Sequence, residues 1–336
     1  MDKKSRKNMI NQYLWEKIEQ GEINTEEIAA NLEVSRKTIY TYIAKSIERG
    51  EIRYIKRGHY ELIDKTFSDE YMEVAKDESE DSVIFETKIL PYLEELPQNL
   101  KNIWQYACSE MINNVIEHSS GRKMHILIKK NILKTTVIIS DNGIGIFKKI
   151  KEHFSYGSEE EAMHELFKGR LTTDAQNHSG EGIFFTSRIM DKFFAISNGR
   201  IFTHNNYEDA YYYIEELEKN KSTTIIMELS NYSKKILSEV FDEFSDEDGK
   251  FFKTEILMKN IFSNNYPISR SQAKRLSRHF DKFEEVVLDF DEIEGMGQGF
   301  AHELFVVFAL KHENIRLRMI NANKNVNKMF VHVTTN

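Results

Sequence analysis

Apolar residues near the beginning of the chain recur at the spacing of amphipathic helices. Residues 8–20 follow this spacing, residues 25–32 form a second short helical stretch, and Ser35 stands where it would cap a third helix. Residues 51–63 alternate between apolar and polar and turn at Gly58, which predicts a β-hairpin. This part of the chain is therefore expected to form three helices followed by a hairpin.

Farther along, strand and helix patterns mix. The expected strands lie at residues 82–86, 135–139, 193–197, 223–229, 285–290 and 315–320. One expected helix begins near Asn99, and four others span residues 182–190, 271–280, 299–309 and 325–331. The middle of the chain therefore predicts an α+β domain, and the end of the chain predicts a small α/β domain.

Charged stretches without clear periodicity separate these parts. Residues 66–81 form an acidic linker, and residues 233–254 form a second charged connector. Three domains are therefore expected, at residues 1–65, 82–232 and 255–336. This division agrees with a length of 336 residues, which is too long for one ordinary core.

The charge balance and the cysteine count limit the class of protein. A formal net charge of −8 argues against a protein that coats nucleic acid with its whole surface, although it is compatible with a local basic patch. Cys108 is the only cysteine, so an internal disulfide is excluded, and no signal peptide or membrane-spanning run is recognisable. A soluble, cytoplasmic protein without a membrane partner is expected.

A row of polar side chains precedes the strand at residues 135–139. Glu110, Asn114 and His118 are four residues apart, which on an α-helix places them on one face. A solvated stripe on an amphipathic helix would show the same spacing. The flanking positions are apolar, however, so the row borders the buried face of the helix. These flanking residues are Met111, Ile112, Val115 and Ile116. The row is therefore a candidate site.

Two glycine pairs follow this row at the ends of predicted elements. Asp141 ends a β-branched strand, and Gly143 and Gly145 come directly after it. A second pair, Gly180 and Gly182, opens a later apolar helix. Backbone turns tightly, or approaches a ligand closely, at such glycines. The order of the polar helix, the Asp-x-Gly-x-Gly stretch and the second pair is more specific than any one of them.

These motifs resemble the GHKL ATP-binding superfamily of gyrases, a heat-shock chaperone, histidine kinases and a mismatch-repair ATPase. The resemblance implies a mixed sheet with helices on one face and a site for ATP and Mg²⁺. Asn114 would hold Mg²⁺ against the phosphates, Asp141 would accept from the adenine amino group, and Glu110 would polarise the attacking nucleophile. Both glycine pairs would line the nucleotide.

Three further residues are assigned by the same resemblance. Thr223 lies on a late strand where a threonine often supports the adenine pocket, although Ser222 replaces the usual glycine. Residues 154–179 are either a lid over the phosphates or an insertion without regular structure. In a lid, Lys168 and Arg170 would meet the γ-phosphate. Solvent-exposed cations at a helix end fit the same residues equally well, so both interpretations stay open.

The helix at the second glycine pair is particularly similar to that of anti-sigma factor serine kinases, and residues 289–304 resemble a STAS-like domain. STAS domains are partners of such kinases and receive phosphate on a Ser or Thr at this strand-to-helix turn. Residues 278–332 contain neither, and Gly297 and Gly299 occupy the turn. Phosphorelay within the chain is therefore not expected, and the STAS-like domain is expected to bind a protein partner or its own sheet.

The N-terminal pattern resembles winged helix-turn-helix domains over roughly the first sixty residues. Residues 34–57 carry seven Lys or Arg against two Glu, which favours a face for double-stranded DNA. The groove-facing candidates are Arg36, Lys37, Thr38, Tyr40 and Thr41. Many such modules contact protein instead, and a packed Tyr40 beside solvated lysines would fit the same sequence.

Two functions fit this set of modules. The first is a nucleotide-gated, DNA-binding transcription regulator. The alternative is a serine/threonine protein kinase of the anti-sigma-factor type, or a slow ATPase, with Glu110 as the catalytic residue. A histidine kinase is disfavoured because no histidine lies between His59 and His118. The oligomeric state is left open, with a homodimer among the options.

Overall fold

The computed structural model describes residues 3–21, 23–73, 81–171, 180–204 and 222–335, with the backbone alone at 3–5 and 68–72. The helices are α1 (Lys3–Glu19), α2 (Thr25–Asn31), α3 (Arg36–Glu48), α4 (Asp81–Ile84), α5 (Gln98–Asn113), α6 (Ile146–Phe154), α7 (Glu159–Leu166), α8 (Gly182–Ile189), α9 (Leu237–Phe244), α10 (Arg270–Leu276), α11 (Gln298–His302), α12 (Ala309–Lys311) and α13 (Lys324–Thr334). The π-helical turns are Phe85–Ile89, Asn114–His118 and Glu303–Phe308.

The strands are β1 (Ile52–Lys56), β2 (His59–Leu62), β3 (Lys65–Glu73), β4 (Lys123–Lys130), β5 (Lys134–Asp141), β6 (Lys192–Ser197), β7 (Arg200–Phe202), β8 (Thr223–Ser230), β9 (Lys253–Leu257), β10 (Glu285–Asp289) and β11 (Arg316–Ile320). The chain folds into two compact units. The first unit comprises Met1–Gly143, Met190–Ala195 and Ser222–Lys235. The second unit comprises Ile144–Ile189, Ile196–Lys221 and Ile236–Asn336. The predicted domain boundaries stay predictions.

Three helices and a hairpin begin the first unit, as the apolar pattern predicts. Asn24 caps α2 with its side chain, and Ser35 caps α3 by accepting from the backbone N–H of Thr38. β1 and β2 pair antiparallel around a turn in which Gly58 has a φ of +77°. These elements share one apolar core, formed by Ile10, Leu14, Trp15, Ile18, Ile28, Ile39, Ile43 and Ile52.

This N-terminal core extends onto the turn between β4 and β5. Leu133 belongs to the same buried cluster, and Tyr232 packs against it. Lys134 Nζ lies 2.7 Å from Glu19 Oε1 of α1 and 3.0 Å from Glu228 Oε2 of β8. Burial opposes the charge on Lys134, but its contacts with the two carboxylates outweigh burial and raise its pKa. The N-terminal helices are therefore fixed to β5.

The sheet of the first unit has the strand order β3-β4-β5-β8-β6, and its first three pairs are antiparallel. β6 continues into the second unit, where Asn198 and Gly199, with φ of +50° and +69°, turn the chain into β7. Every second residue of β5 is buried, as expected for a strand with one face on a core. In the same unit, α5 buries the apolar residues Leu100, Ile103, Trp104, Ala107, Cys108 and Met111.

Two segments of the first unit differ from the predicted pattern. The strand expected at residues 82–86 is wrong, because α4 and a π-helical turn lie there and bury Phe85 and Ile89. Short apolar runs do not distinguish strand from helix. Conversely, β3 overlaps the stretch predicted as an acidic linker and pairs with β4. Charged residues are common on edge strands, so acidity did not exclude a strand.

The second unit contains a three-stranded parallel sheet of order β11-β10-β9. Val286 on the central strand pairs with Thr254 on one side and Leu317 on the other. The predictions of β10, β11, α11 and α13 are confirmed to within a few residues. β9 was not predicted, because its charged residues Lys253 and Glu255 made it look like part of the connector. An aromatic cluster of Phe184, Phe185, Phe244 and Phe251 joins α8 to α9.

Candidate nucleotide site

The polar row begins at the end of α5. Glu110 and Asn114 are partly exposed between buried apolar neighbours, and the backbone N–H of Asn114 donates to the carbonyl oxygen of Glu110. These two residues are therefore one α-helical turn apart, as predicted. From Asn114 to His118 the helix is a π-helix. The placement of His118 on the same face as Glu110 and Asn114 stays a prediction.

Asp141, at the end of β5, is a buried hydrogen-bond acceptor. Its side chain is 7 % exposed, and its Oδ1 accepts from the backbone N–H of Gly143 at 2.7 Å. Thr223, at the start of β8, donates to the same carboxylate from both its backbone and its hydroxyl. Burial raises the pKa of Asp141, and the bonds from Gly143 and Thr223 oppose that rise. β5 and β8 thus bring two predicted residues together.

Gly143 lies too close to its neighbours for any side chain. A Cβ atom there would lie 1.9 Å from the carbonyl oxygen of Ser119 and 2.9 Å from Asp141 Oδ1. Asn142 Oδ1 also accepts from the backbone N–H groups of Arg122 and Lys123, each at 2.9 Å. The turn after the polar helix is therefore held against the loop that carries the first glycine pair.

Sequence reasoning missed this turn as part of the site. Ser119 Oγ accepts from the backbone N–H of Gly121 at 2.9 Å, and a Cβ atom on Gly121 would lie 2.7 Å from Asn142 Oδ1. The consecutive Ser119, Ser120 and Gly121 are turn-forming residues and were the available signal. What the sequence lacks is any indication that this turn meets the loop at Asn142.

The remaining predicted glycines belong to the second unit. Gly145 has a φ of +89° and precedes α6, and Gly182 is the first residue of α8. Gly180 has a φ of +72°, and a Cβ atom there would lie 2.5 Å from the carbonyl carbon of Leu171. These glycines therefore occupy positions that require glycine or begin a helix. Residues 172–179 lie outside the described residues.

The predicted lid is more regular than expected at its beginning, and its cations are engaged. α7 lies within residues 154–179, where no regular structure was predicted. Lys168 is 1 % exposed, so the interpretation as a solvated cation is wrong for it. Its Nζ donates to Glu165 and to two backbone carbonyls, and Arg170 donates to the carbonyl of Lys282. A role for either cation at a γ-phosphate stays a prediction.

The turn of the STAS-like region has no room for the missing hydroxyl. A Cβ atom on Gly297 would lie 2.6 Å from the carbonyl oxygen of Ile268. That oxygen also accepts from the backbone N–H of Phe300 at 3.1 Å, and Gly297 N–H donates to Pro267 at 2.8 Å. Another segment of the chain therefore covers the position where a phosphoacceptor would stand.

The DNA-binding candidates lie on an exposed helix whose charges are partly paired. Arg36 pairs with Glu26 on α2. The hydroxyl of Thr38 bonds to that of Ser35, and the hydroxyl of Thr41 donates to the carbonyl of Lys37. Tyr40 is 46 % exposed, so it is not the packed residue of the alternative interpretation.

Two more of the seven cations at residues 34–57 are paired as well. Arg49 lies 2.9 Å from Glu51, and Arg53 pairs with Glu61. Lys37, Lys45, Lys56 and Arg57 are exposed and form no ion pair with any residue in the described part of the chain. The positive face is therefore smaller than the sequence count suggests.

Comparisons with known families place two of the predicted modules. Residues 101–233 match the model described as histidine kinase-, DNA gyrase B-, and HSP90-like ATPase. A GHKL ATPase domain spans these residues. Residues 272–327 match a STAS-like domain of unknown function (DUF4325). No curated protein and no solved structure matches the chain. Neither family model reaches the first hundred residues, so the winged helix-turn-helix stays a prediction.

The GHKL domain implies ATP binding, and the residues of the first unit fit an adenine nucleotide. Asp141 supplies a buried acceptor, and Asn114 supplies an amide oxygen of the kind that Mg²⁺ accepts. Gly143 lets the loop after Asp141 pack directly against Ser119. No cluster of three or more His, Cys, Asp or Glu suited to a metal occurs among the described residues. Within the same residues, no helix is long and apolar enough to cross a membrane.

Proposed function

We propose that this chain is an ATP-binding regulator in which the nucleotide controls DNA binding by the N-terminal helices. The observation that carries the proposal is the course of β5. This strand ends at Asp141, the buried acceptor, and begins at Lys134, which binds Glu19 of α1. Eight residues of strand span ~24 Å. One element of the first unit thus links the nucleotide residues to the N-terminal helices.

In this proposal each amino-acid residue of the candidate nucleotide site has one role. Asp141, supported by Thr223, accepts from the adenine amino group, and Asn114 holds Mg²⁺. The assignment of Gly145 and Gly182 to the phosphates stays a prediction of the GHKL resemblance. ATP makes different contacts in two arrangements of the chain and therefore binds one of them more tightly. Binding of ATP shifts the chain toward that arrangement and so changes its affinity for DNA. Lys168 and Arg170 are left out of this set, because the three donors of Lys168 are occupied and Arg170 donates to the carbonyl of Lys282.

The gating is tested by the response of DNA affinity to the nucleotide. Fluorescence anisotropy with a mixed-sequence duplex, with and without ATP and Mg²⁺, should show a change for the wild-type protein. Asn114→Ala should keep the basal affinity and lose the change, whereas the neighbouring Asn113→Ala should keep both. An equal response in Asn114→Ala would refute gating through this site.

A second candidate function is a protein kinase or a slow ATPase. It is favoured by Glu110, a carboxylate one helical turn before Asn114 that would orient a hydroxyl or a water. Incubation with γ-labelled ATP, alone and with candidate protein partners, separates transfer from hydrolysis, and Glu110→Gln should abolish either. Tight ATP binding without release or transfer of phosphate would reject the enzyme. A protein partner for the STAS-like domain, a homodimer and a cytoplasmic location remain parts of the proposal.

A further inference from the structure

A cavity of about 340 Å³ lies within the second unit and is lined by residues in and beside α7 and α10. Ile261 and Phe262, which follow β9, and Leu276 form the apolar part of its wall. Small-molecule sites in proteins are commonly preformed cavities of roughly 300 to 1,000 Å³ that combine apolar walls with a few polar groups. The volume is therefore sufficient for a small organic molecule, and the polar groups around it indicate which kind.

The two helices that line the cavity are fixed to each other by buried contacts. Lys168, which follows α7, donates to Glu165 Oε1 at 2.6 Å and to the carbonyl oxygens of Arg275 and Arg278 at 3.2 and 3.0 Å. An ammonium group has three N–H donors, so these three oxygens use all of them. Glu165 Oε2 lies 3.1 Å from His279 Nδ1. The cavity is therefore a preformed feature of a packed unit.

Several other polar groups at the cavity also have partners within the protein. Glu161 accepts from the backbone N–H of Gly157 at 2.9 Å and from Arg278 Nη1 at 2.7 Å. The hydroxyl of Ser158 caps α7. Gln272 Oε1 accepts from two backbone N–H groups that precede α10, at 2.8 and 2.9 Å. These groups hold the unit together, so they do not define a ligand.

Four polar groups at the cavity form no hydrogen bond or ion pair with any residue that the structure describes. They are the guanidinium group of Arg275, Nε2 of Gln272, the carboxylate of Glu160 and the ring of His164. Gln272 and Arg275 are three residues apart on α10, and Glu160 and His164 are four apart on α7, so each pair shares one helix face. Burial lowers the pKa of His164, which keeps the ring uncharged at neutral pH and leaves one ring nitrogen as an acceptor. The α10 wall thus offers two donors, and the α7 wall offers two acceptors.

We propose that this cavity binds a free α-amino acid with an apolar side chain. Gln272 and Arg275 hold its carboxylate, Glu160 and His164 hold its ammonium group, and its side chain contacts Phe262. A carboxylate only accepts and an ammonium group only donates, so a molecule that carries both satisfies both walls. A simple anion would leave Glu160 without a partner, and a simple cation would leave Arg275 without one. The cavity shares no residue with the proposed nucleotide site, so it adds an effector site to the regulator.

Titration calorimetry of the full chain with each standard L-amino acid that has an apolar side chain tests the site. At least one of them should bind, with one molecule per chain. Analogues of that amino acid that lack one of its two charges should bind at least about tenfold more weakly, because each loses a charge-assisted contact. For leucine these analogues are isocaproate, which lacks the ammonium group, and isoamylamine, which lacks the carboxylate. No binding of any of these amino acids, or equally tight binding of either analogue, would overturn the proposal.

Two exposed side chains allow the same site to be tested by substitution. Arg275→Gln and Glu160→Gln should each weaken binding of that amino acid by about tenfold or more, and Arg275→Gln keeps the backbone carbonyl that binds Lys168. The matched controls are Lys274→Gln and Glu152→Gln, whose side chains are 68 % and 59 % exposed outside the cavity, and both should bind as the wild type does.

Wild-type affinity in either cavity variant, or an equal loss in a control, would overturn the proposal. The measurement uses no nucleotide, so its failure would leave the proposed function standing. A chain that binds no ATP would likewise leave the amino-acid site standing.

Discussion

The buried pair of Glu165 and Lys168 should make the second unit sensitive to the loss of either partner. Their side chains are 3 % and 2 % exposed, and the two charged atoms lie 2.6 Å apart. The perturbation is the removal of one partner, by Glu165→Leu or by Lys168→Met. Each variant keeps much of the volume of the side chain and leaves the other charge buried.

The two single variants should not cost the same. Removing one partner of a buried pair costs about 3–5 kcal/mol. Lys168 without Glu165 keeps only the carbonyls of Arg275 and Arg278, so Glu165→Leu should lower the free energy of unfolding by about 5 kcal/mol. Glu165 without Lys168 keeps His279 at 3.1 Å, so Lys168→Met should lower it by about 3 kcal/mol. The double variant removes both charges and should lose at least about 2 kcal/mol less than the sum.

Urea denaturation measures these free energies of unfolding. Trp15 and Trp104, the only tryptophans, belong to the first unit, so fluorescence follows that unit and circular dichroism follows both. The control is Lys148→Met, because Lys148 and Glu152 form a 4.0 Å pair in the second unit with 48 % and 59 % of their side chains exposed. It should cost less than about 0.5 kcal/mol. Losses that add in the double variant, or a Lys168→Met cost equal to the control, would refute the reasoning.

Three further predictions follow from single contacts. Burial raises the pKa of Asp141 above 3.8, so the NMR signal of its carboxyl carbon should titrate above that value. ATP needs the ionised acceptor and should therefore lower the pKa of Asp141. The affinity for ATP should be lost as the pH falls through the pKa that Asp141 has in the free protein. Gly297→Ser should destabilise the protein by about 1–3 kcal/mol in urea denaturation because its Cβ would lie 2.6 Å from Ile268, whereas Gly299→Ser, whose nearest atom is 3.5 Å away, should cost far less. Lys37→Ala should reduce the slope of log DNA affinity against log salt concentration by about one. Arg53→Ala should reduce this slope by less, because the charge of Arg53 is already paired with Glu61. DNA binding that is absent or insensitive to salt would instead indicate that the N-terminal helices bind a protein.

The sequence predicts those parts of the site in which neighbouring residues cooperate. Glu110 and Asn114 lie one turn apart because the helix hydrogen bond between them is local. Asp141 ends its strand because a β-branched run is followed by glycines, and Ser35 caps α3 as expected. In each case a few adjacent residues determine the geometry, so their order along the chain is enough.

The parts that could not be predicted depend on contacts between distant residues. Lys168 is buried because Arg275 and Arg278, more than a hundred positions away, supply carbonyls to it. β3 and β9 are strands because β4 and β10 pair with them, although their own residues are strongly charged. The π-helical turn from Asn114 to His118 is not indicated by any local motif.

The most direct test of the account is a calorimetric titration of the full chain with ATP and Mg²⁺. The account predicts one nucleotide bound per chain, with affinity reduced roughly 10- to 100-fold in Asp141→Asn, where an amide replaces a charged acceptor. Asp191→Asn, which alters the aspartate that accepts from the backbone N–H of Ser230 in the same unit, should bind as the wild type does. Equal affinity in Asp141→Asn, or no binding by the wild-type protein, would contradict it.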